Sequence, residues 1–599
     1  MSLRTLPVLL AALAGLALPP GAQAQAQQPY PGNCENMGRS KVTTPGPYAA
    51  LPQEVVEVKS KLDGRPQQIG LIRPALPEGR RSPVIVHAST YHYRDMKDAD
   101  IKACARFLVS NYVQHGYTVA LVPTRGTGDS DGCPNLFGPV ERSDLDDVLT
   151  WLGTQPWSNG RVGMIGISYS GSTPWVAAAS GNPYLKTIVP ASGVNDLFDL
   201  TFGAGTLDSR FWLFVPGYYH YYGPALHNPA WSGRDAGRTV NAATTCPDLD
   251  RGLAATAESL RTGEHDKGGY WAERSLRPMV EERYEGSVLL VQGMTDWNVR
   301  PGHTIPWAVS LRDHGIRVHQ VLGQWNHQYP DNGGVHGRWD WADRLLAWWD
   351  HELKGGDAGA LGPRVEVEDS SGKWRREQAW PPENDRLLHL SPGGRLTPDA
   401  GTSTGSAVLA ADSRSRYYFA SEVFPGQTTS DTVPVPGPVD ETCAAGCATF
   451  RLAATSELRI SGLPEVELTV TPTGPSGHVT AFLYRKHAGG LQRLGFGMTD
   501  LRFPRGENRS EGAAAKPVVP GTPMRARIEL EPLEGVVGAG EELLLVVGQG
   551  RTGQVPAEAT APVQLALGAG KSTLSMAVVD PPPGAFFTPP PEAGRRLGA

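Results

Sequence analysis

Residues 162–180, VGMIGISYSGSTPWVAAAS, place a serine between glycines where an apolar run meets an alanine-rich run. A serine hydroxyl is a weak nucleophile unless the chain presents it to a base. A G-x-S-x-G turn does this by holding the serine on a sharp bend between a strand and a helix that pass too close for side chains at the glycines. Gly166 and Ser168 fit this pattern, but Ser170 replaces the last glycine and Gly171 follows one position later. The pattern alone is weak, because many turns rich in serine and glycine are only turns.

A nucleophilic serine on such a turn needs an acid and a histidine later in the chain, each in a loop directly after a strand. Asp296 follows the strand-like run SVLLVQGMT, and His327 follows VHQVLGQWN. Taken alone, Asp296 is a turn or helix-cap carboxylate and His327 is a surface-loop histidine. Together with Ser168, in this order and in these positions, they predict a catalytic triad for acyl transfer.

Acyl transfer also needs hydrogen-bond donors for an oxyanion. One donor would be the backbone N–H of Tyr169, the residue after the serine, and another would come from the loop after an early strand. That loop reads ASTYHYRD and contains Tyr91, His92 and Tyr93. A tyrosine hydroxyl can donate to an oxyanion. Simple packing also explains these aromatic residues, and it is the preferred interpretation for Tyr93.

The elements that must position these residues alternate between strand and helix over residues 50–195. SPVIVHAS, YTVALVPTRG and GRVGMIGIS are apolar runs typical of buried strands, and ADIKACARFLVSNYVQHG has helical spacing and ends at a glycine. SDLDDVLTWLGTQPW predicts an amphipathic helix capped by Ser143. Buried strands separated by helices predict a parallel sheet with helices on both faces.

The alternation stops at about residue 197 and resumes at about residue 285. The intervening chain is first aromatic, DSRFWLFVPGYYHYYGP, and then helical, LDRGLAATAESLRTGEHDKGGYWAERS. An insertion between sheet strands would lie over their carboxyl ends as a helical cap. GSVLLVQGMTD and IRVHQVLGQWNH continue the sheet, and the helix RWDWADRLLAWWDHELKG closes a catalytic domain predicted at 25–365.

Residues 366–580 have a different pattern, with short β runs such as EVELTVTP, VTAFLYRK and EELLLVVGQ separated by turn residues. This pattern is typical of an antiparallel sandwich or jelly roll. Residues 581–599 form a proline-rich tail that we expect to be disordered. The chain of 599 residues is too long for a single core, which agrees with two or three domains.

The chain begins with the pattern of a secretory signal peptide, predicted over residues 1–24. Arg4 supplies a positive charge, residues 6–18 are an apolar stretch too short for a comfortable membrane span, and AQA at 22–24 is a small-x-small cleavage site. The alternative is a buried N-terminal helix. No later segment is long and apolar enough to span a membrane, so we expect a secreted or periplasmic protein. The net charge of -6 argues against a nucleic-acid partner, which needs a basic surface.

The chain has six cysteines, an even number that suggests disulfides in an exported protein. Sequence cannot choose among their pairings, but proximity favours a Cys443–Cys447 disulfide. The sequence has no C-x-x-C pair and no His/Cys cluster with zinc spacing, so it indicates no metal site.

Several of these segments resemble one known family. GISYSG resembles the G-x-S-Y-x-G elbow of the Xaa-Pro dipeptidyl-peptidase and cocaine-esterase-like α/β-hydrolases, which has its last glycine at the position of Gly171. ASTYHY, RGTGDSDG, QPWSNGRVG, GMTDWNV and GQWNH are similar to other family segments, and the C-terminal part is similar to the family's jelly roll. The resemblance covers nearly the whole mature chain.

This resemblance implies an α/β-hydrolase domain with a helical cap at about 197–285, followed by a jelly-roll sandwich. It implies catalytic Ser168, Asp296 and His327, an oxyanion hole made by Tyr91 and Tyr169, and no cofactor. TDWNV is more similar to the dipeptidyl-peptidase branch, whereas GQWNH is more similar to the esterase branch.

We therefore expect a serine hydrolase that releases N-terminal Xaa-Pro dipeptides. The alternatives are an esterase or acylase acting on small esters, or an inactive hydrolase domain with a carbohydrate- or surface-binding sandwich. An aromatic run in the cap that includes Phe211 and Trp212 suits a proline ring, although cap packing explains it equally well. Asp196 and Asp199 could bind the substrate's α-ammonium group, but helix capping is at least as good an explanation. The sequence leaves the oligomeric state open.

Overall fold

The computed structural model of the chain describes residues 37–92, 105–203, 207–208, 247–266, 268–296, 298–332, 337–411, 446–506, 514–549, 554–555 and 561–597. Within these ranges the chain forms an α/β unit followed by an all-β unit. The strands up to the end of the first unit are β1 (Glu54–Lys59), β2 (Pro66–Ile72), β3 (Ser82–Ser89), β4 (Thr118–Pro123), β5 (Ser158–Ile167), β6 (Leu185–Ala191), β7 (Leu207–Asp208), β8 (Ser287–Gly293), β9 (Arg317–Gly323), β10 (Val365–Glu368) and β11 (Trp374–Glu377).

The first unit is built on one sheet with the order β1-β2-β4-β3-β5-β6-β8-β9-β10-β11, and every neighbouring pair from β4 to β10 is parallel. Every residue of β4 and of β8 is buried. Alternate residues of β3 belong to two separate hydrophobic clusters, Val84 and Val86 to one and Ile85 to the other. Helices therefore cover both faces, which confirms the predicted fold class.

The helices complete this unit. In chain order they are α1 (Arg106–Tyr112), α2 (Pro139–Thr154), α3 (Tyr169–Ala178), α4 (Leu197–Thr201), α5 (Pro247–Thr262), α6 (Leu276–Arg283), α7 (Pro301–Thr304), α8 (Trp307–Asp313) and α9 (Trp341–Lys354). Short 3-10 helices occupy Val113–His115, Ala272–Arg274, Ala358–Leu361 and Pro583–Ala585. None of the helices in the described ranges is both long and apolar enough to cross a membrane.

The start of α2 differs from the prediction. The helix begins at Pro139 with Gly138 as the residue before it, so the predicted cap Ser143 lies inside the helix. Proline suits the first helical position because its φ angle is already helical and the missing N–H would have no partner there. The prediction weighed the polar residue at 143 and overlooked this proline.

The helical cap domain predicted at about 197–285 lies between β6 and β8. Its described parts are the short strand β7 and the helices α4, α5 and α6, which agrees with a helical insertion. Residues 209–246, including Phe211 and Trp212, lie outside the described residues.

The second unit is the predicted β-sandwich. Its described strands pair antiparallel, apart from the parallel pair formed by Arg395–Thr397 and Ala448–Ala453. Ten of its strands follow the order β14-β23-β16-β24-β12-β13-β15-β21-β17-β18, and β19 and β20 also pair with β16. The strands are β12 (Arg386–Ser391), β13 (Arg395–Thr397), β14 (Thr404–Leu409), β15 (Ala448–Ala453), β16 (Leu458–Pro472), β17 (His478–His487), β18 (Gly490–Asp500), β19 (Met524–Glu529), β20 (Leu533–Val537), β21 (Glu542–Gly548), β22 (Gln554–Val555), β23 (Val563–Gly568), β24 (Thr573–Val578) and β25 (Phe586–Phe587). Of these, β22 pairs with β7 of the cap.

The structure differs from the sequence expectations at the end of the first unit and in the tail. The hydrolase sheet continues past residue 365, because β10 pairs in parallel with β9 and β11 pairs with β10. The proline-rich tail is ordered as far as residue 597, and its strand β25 pairs with β11 at the edge of the hydrolase sheet. Two aromatic residues hold the tail in place. The Phe587 ring packs against Trp374, with 6.0 Å between the ring centroids, and the guanidinium group of Arg459 lies over the Phe586 ring. These ring contacts compensate the entropy lost on ordering the tail.

Buried ion pairs join the two units. Arg375 of β11 donates two hydrogen bonds of 2.7 Å to Glu534 of β20, and Trp380 donates to the same carboxylate at 2.6 Å. A second buried pair joins Asp369 to Arg459 of β16. Glu534 and Arg375 are almost completely shielded from solvent, so water cannot stabilise their charges. Each charge is stabilised mainly by the other.

We predict that Glu534→Gln lowers the free energy of unfolding by about 3 kcal/mol, because it leaves the buried Arg375 charge without its main partner. Urea unfolding followed by tryptophan fluorescence measures this. The matched control is Glu467→Gln, which removes an exposed pair with Arg525 and should cost less than about 1 kcal/mol. Equal losses in the two variants would show that the buried pair does not hold the units together.

Candidate active site

Ser168 lies on the sharp turn that the sequence predicted, between the end of β5 and the start of α3. Its backbone has φ 61° and ψ −127°, a conformation that residues with side chains rarely adopt. Such backbone strain of about 1–3 kcal/mol persists only where the surrounding structure enforces it, and it is common at active sites.

Two glycines make this turn possible. A Cβ atom on Gly166 would lie 2.0 Å from the carbonyl oxygen of Ser170, and one on Gly171 would lie 2.3 Å from that of Ala191. Ser170 itself is tolerated because its side chain points elsewhere, where its hydroxyl donates to the Ser89 hydroxyl at 2.7 Å. The structure thus explains why glycine is needed at 166 and 171 but not at 170.

Asp296 and His327 form a directly bonded pair. The Nδ1 atom of His327 lies 2.8 Å from Oδ2 of Asp296, whose side chain is fully shielded from solvent. The other oxygen, Oδ1, accepts the backbone N–H groups of Asn298 at 2.8 Å and Val299 at 3.0 Å. These donors fix the position of the carboxylate. The ring tautomer with its proton on Nδ1 donates to Asp296 and has its lone pair on Nε2.

The parallel sheet brings the three loops to one edge. Ser168, Asp296 and His327 follow the carboxyl ends of β5, β8 and β9, and the strand order β5-β6-β8-β9 is continuous. The loops after β8 and β9 are hydrogen-bonded to each other. Met294 N–H donates to the Gly323 carbonyl at 2.7 Å, and Thr295 N–H donates to the Trp325 carbonyl at 3.3 Å. The structure therefore brings the predicted triad residues to the same edge.

Tyr91 follows β3, the strand next to β5. Its ring meets the ring of Tyr169 edge-on, with 6.3 Å between the centroids. The same loop is anchored by His92, whose Nε2 atom lies 3.0 Å from Nδ1 of His87 and 3.0 Å from the His87 carbonyl oxygen. Burial lowers the pKa of both histidines to about 3, so this pair stays neutral. Tyr93 lies outside the described residues.

The two carboxylates considered for substrate binding already have partners. Asp196 caps α4, since its Oδ1 accepts the N–H of Asp199 at 2.8 Å, and its Oδ2 accepts the Ser275 hydroxyl at 2.6 Å. Burial raises the pKa of Asp196 to about 6. Asp199 accepts a hydrogen bond of 2.8 Å from Arg277, and Nδ1 of His303 lies 3.8 Å away. The capping alternative is therefore correct for Asp196, and substrate binding by either residue stays a prediction.

Two glutamates from outside the predicted loops also contact this region. Glu141 in the first turn of α2 accepts the Tyr169 hydroxyl at 2.9 Å. From the sandwich, Glu531 accepts the N–H of Gly302 at 2.7 Å and lies 3.6 Å from Arg300, in the segment that follows Asp296. No spacing pattern in the sequence links these residues, because each contact joins distant parts of the chain.

Cys447 is disulfide-bonded, as is Cys133. Cys443 lies outside the described residues, so the Cys443–Cys447 pairing stays a prediction. Within the described ranges, no three His, Cys, Asp or Glu side chains come together as a metal ion would require.

Comparison with known proteins identifies relatives of this chain. Residues 63–329 match the family model of the X-Pro dipeptidyl-peptidases (S15 family), and residues 359–568 match the X-Pro dipeptidyl-peptidase C-terminal non-catalytic domain. A curated relative from Streptomyces avermitilis, whose name assigns it provisionally to the Xaa-Pro dipeptidyl-peptidases, is 30% identical over 475 residues. The alignment covers 73% of this chain and 64% of the relative, so the chain spans less than two thirds of that relative's length.

Two solved structures share the fold. An aminopeptidase from the marine sediment archaeon Thaumarchaeota archaeon has a TM-score of 0.68 at 19% identity, covering 90% of this chain and 98% of the other. An α-amino acid ester hydrolase also has a TM-score of 0.68 at 19% identity, covering 92% and 100%. These likenesses extend over both units, and the two family models match the same two units in the same order. The two family models, which together span most of the chain, show that it belongs to the X-Pro dipeptidyl-peptidase (S15) family, and the solved structures show that it has an α/β-hydrolase fold.

Proposed function

We propose that this protein is an exported serine hydrolase that releases N-terminal Xaa-Pro dipeptides through an acyl-enzyme on Ser168. The observation that carries the hydrolase proposal is the 2.8 Å contact between His327 and Asp296 at the sheet edge where the strained Ser168 ends β5. Nucleophile, base and orienting acid are the parts that acyl transfer requires.

In the proposed mechanism, Nε2 of His327 removes the Ser168 hydroxyl proton while Oγ attacks the substrate carbonyl. Asp296 holds the imidazole in the correct tautomer and stabilises the imidazolium ion that forms. The Tyr91 hydroxyl and the Tyr169 backbone N–H donate to the developing oxyanion. His327 then gives the proton to the leaving amine, and the acyl group stays on Ser168. In the second half, His327 takes a proton from water as the water attacks the acyl carbonyl, and it returns that proton to Oγ of Ser168 as the acyl group leaves. The cycle uses no cofactor.

The dipeptidyl-peptidase specificity is supported by family membership and by the names of the curated relatives. An exopeptidase of this kind must hold a free α-ammonium group, which requires a carboxylate near the cleft. Asp196 and Asp199 both have partners within the protein, and this observation favours the second candidate, an esterase or acylase that needs no ammonium site. Both candidates share the same triad.

Export is proposed from the signal-peptide pattern of residues 1–24. The disulfide-bonded Cys133 and Cys447 agree with an oxidising compartment. A peptide is the proposed substrate and partner.

We predict that Ser168→Ala and His327→Ala each lower kcat by about 10⁴–10⁶-fold, and that the double variant is no slower than either one, because the residues act as one proton-transfer unit. Initial rates and labelling by a fluorophosphonate probe measure this. Ser180→Ala is the control, since that hydroxyl only bonds the Ala177 carbonyl at the end of α3. Activity within about tenfold of the wild type in either variant contradicts the triad. Absence of probe labelling in the wild type would favour an inactive hydrolase domain with a binding sandwich.

Tyr91→Phe should lower kcat by about 10²–10³-fold with little change in KM, since an oxyanion donor acts mainly in the transition state. Steady-state kinetics separates the two parameters, and Tyr48→Phe at a distant, half-buried site serves as the control. A raised KM with an unchanged kcat would instead make Tyr91 a substrate-binding or packing residue.

Substrate class is tested with Ala-Pro-nitroanilide, its N-acetylated form and simple aryl esters. We expect the free-amine nitroanilide to be the best substrate and acetylation to abolish its turnover, because a carboxylate must pair with the α-ammonium group. Rapid ester cleavage without activity on Ala-Pro-nitroanilide would establish the esterase or acylase instead.

A further inference from the structure

A loop with a strained backbone precedes α2 and contacts Tyr169, the residue after Ser168. Leu136 has φ 34° and Phe137 has φ 62°, and both residues are buried. Left-handed backbone at bulky residues costs about 1–3 kcal/mol each and marks places where the surrounding structure enforces the conformation. Two such residues stand in succession here, and Ser168 on the neighbouring turn is strained as well. Specific contacts must therefore hold this loop in place.

The loop is held by buried polar groups on two sides. Arg274, which has no exposed surface, donates to the carbonyl oxygens of Leu136 at 3.0 Å and Asn135 at 3.1 Å. On the other side, Oε2 of Glu141 accepts the Phe137 backbone N–H at 3.0 Å. These contacts keep the loop in its strained form.

The same oxygen of Glu141 reaches the active site. Oε2 also accepts the Tyr169 hydroxyl at 2.9 Å, and the Phe137 ring packs against the Tyr169 ring at 4.6 Å between centroids. Tyr169 directly follows Ser168 and carries the backbone N–H that the proposed mechanism assigns to the oxyanion. One carboxylate oxygen thus joins the strained loop to this residue.

The burial of Glu141 is costly. Only 2% of the residue is exposed, and Oε1 has no hydrogen-bond partner among the described residues. Burial raises the pKa of Glu141 to about 7. A carboxyl group in this setting lowers the stability of the fold, so a contribution to stability does not explain why it is there.

We propose that Glu141 is a positioning residue of the active site, which holds Tyr169 through its hydroxyl and thereby fixes the backbone N–H beside Ser168. The proposal rests on the proposed serine-hydrolase function. In this proposal Glu141 acts on Tyr169 directly through the hydroxyl and indirectly through the Phe137 loop, whose ring packs against the Tyr169 ring. Displacement of a catalytic group by about 1 Å can cost about 10²-fold in rate, so a small relaxation here has a large effect.

Three variants separate the contributions. Tyr169→Phe removes only the donor, Glu141→Leu removes the acceptor at similar size, and Glu141→Gln keeps an acceptor oxygen without the charge. We expect Tyr169→Phe and Glu141→Leu each to lower kcat by about 10–10²-fold with KM nearly unchanged, and Glu141→Gln to stay within about threefold of the wild type. The double variant Glu141→Leu/Tyr169→Phe should be no slower than Glu141→Leu, because the two residues share one interaction.

A binding measurement distinguishes positioning from general stability. The affinity of a boronic acid that forms a tetrahedral adduct with Ser168 should fall in parallel with kcat, whereas the affinity of the dipeptide Ala-Pro should not change. Glu352→Gln is the control. Glu352 is a buried residue of the distant helix α9 and pairs with the exposed Arg317 of β9, so the variant should lower the melting temperature without changing kcat.

The outcomes separate this proposal from the proposed function. If the wild type neither turns over substrate nor reacts with a fluorophosphonate, the serine-hydrolase function itself is wrong. If the wild type is active and Tyr169→Phe keeps the wild-type kcat and boronate affinity, the positioning role of Glu141 is wrong. Should Glu141→Leu fail to fold, Tyr169→Phe still decides, since it leaves the carboxylate and the Phe137 contact in place.

Discussion

The close approach of β5 and α3 at Ser168 is the constraint on which the rest of the active site depends. The chain leaves the strand, turns through a positive φ angle and enters the helix at once, so that the serine stands at the carboxyl edge of the sheet. A side chain at Gly166 or Gly171 would collide with backbone carbonyl oxygens, and the turn could not close. With the serine fixed there, a base and an acid can reach it only from neighbouring strands whose carboxyl ends lie at the same edge.

The second unit supports this edge and is not a separate appendage. Glu531 of the sandwich accepts a backbone N–H from the segment after Asp296, and Glu534 of the sandwich binds Arg375 of the hydrolase sheet. The C-terminal tail returns to the same sheet as strand β25. Hydrolase and sandwich therefore share buried charges and a sheet edge, which ties the geometry of the catalytic loops to the packing of both units.

Carboxylates around the sheet edge acquire different roles from their partners. Asp296 accepts hydrogen bonds from two backbone N–H groups and lies 2.8 Å from His327, so it is held in place and orients the imidazole. Asp196 caps a helix, and Asp199 pairs with Arg277. Glu141 is buried against Tyr169, and its Oε1 has no hydrogen-bond partner in the part of the chain that the structure describes. In sequence these four residues are equivalent acids, and only their donors distinguish the proposed catalytic acid and the proposed positioning group from a cap and an ion pair.

Residue periodicity and glycine spacing are local properties, and they were enough to predict the parallel sheet, the succession of a hydrolase unit and a sandwich, and the order of Ser168, Asp296 and His327. The structure differs from these predictions at the start of α2, the end of the hydrolase sheet and the tail, where a proline, a parallel pairing with β9 and two phenylalanines decided the outcome. Only the tertiary structure placed Glu141 against Tyr169, which lies 28 residues away, and the sandwich against the loop after Asp296. Contacts between distant segments depend on how whole elements pack, and packing leaves no repeating pattern in the chain.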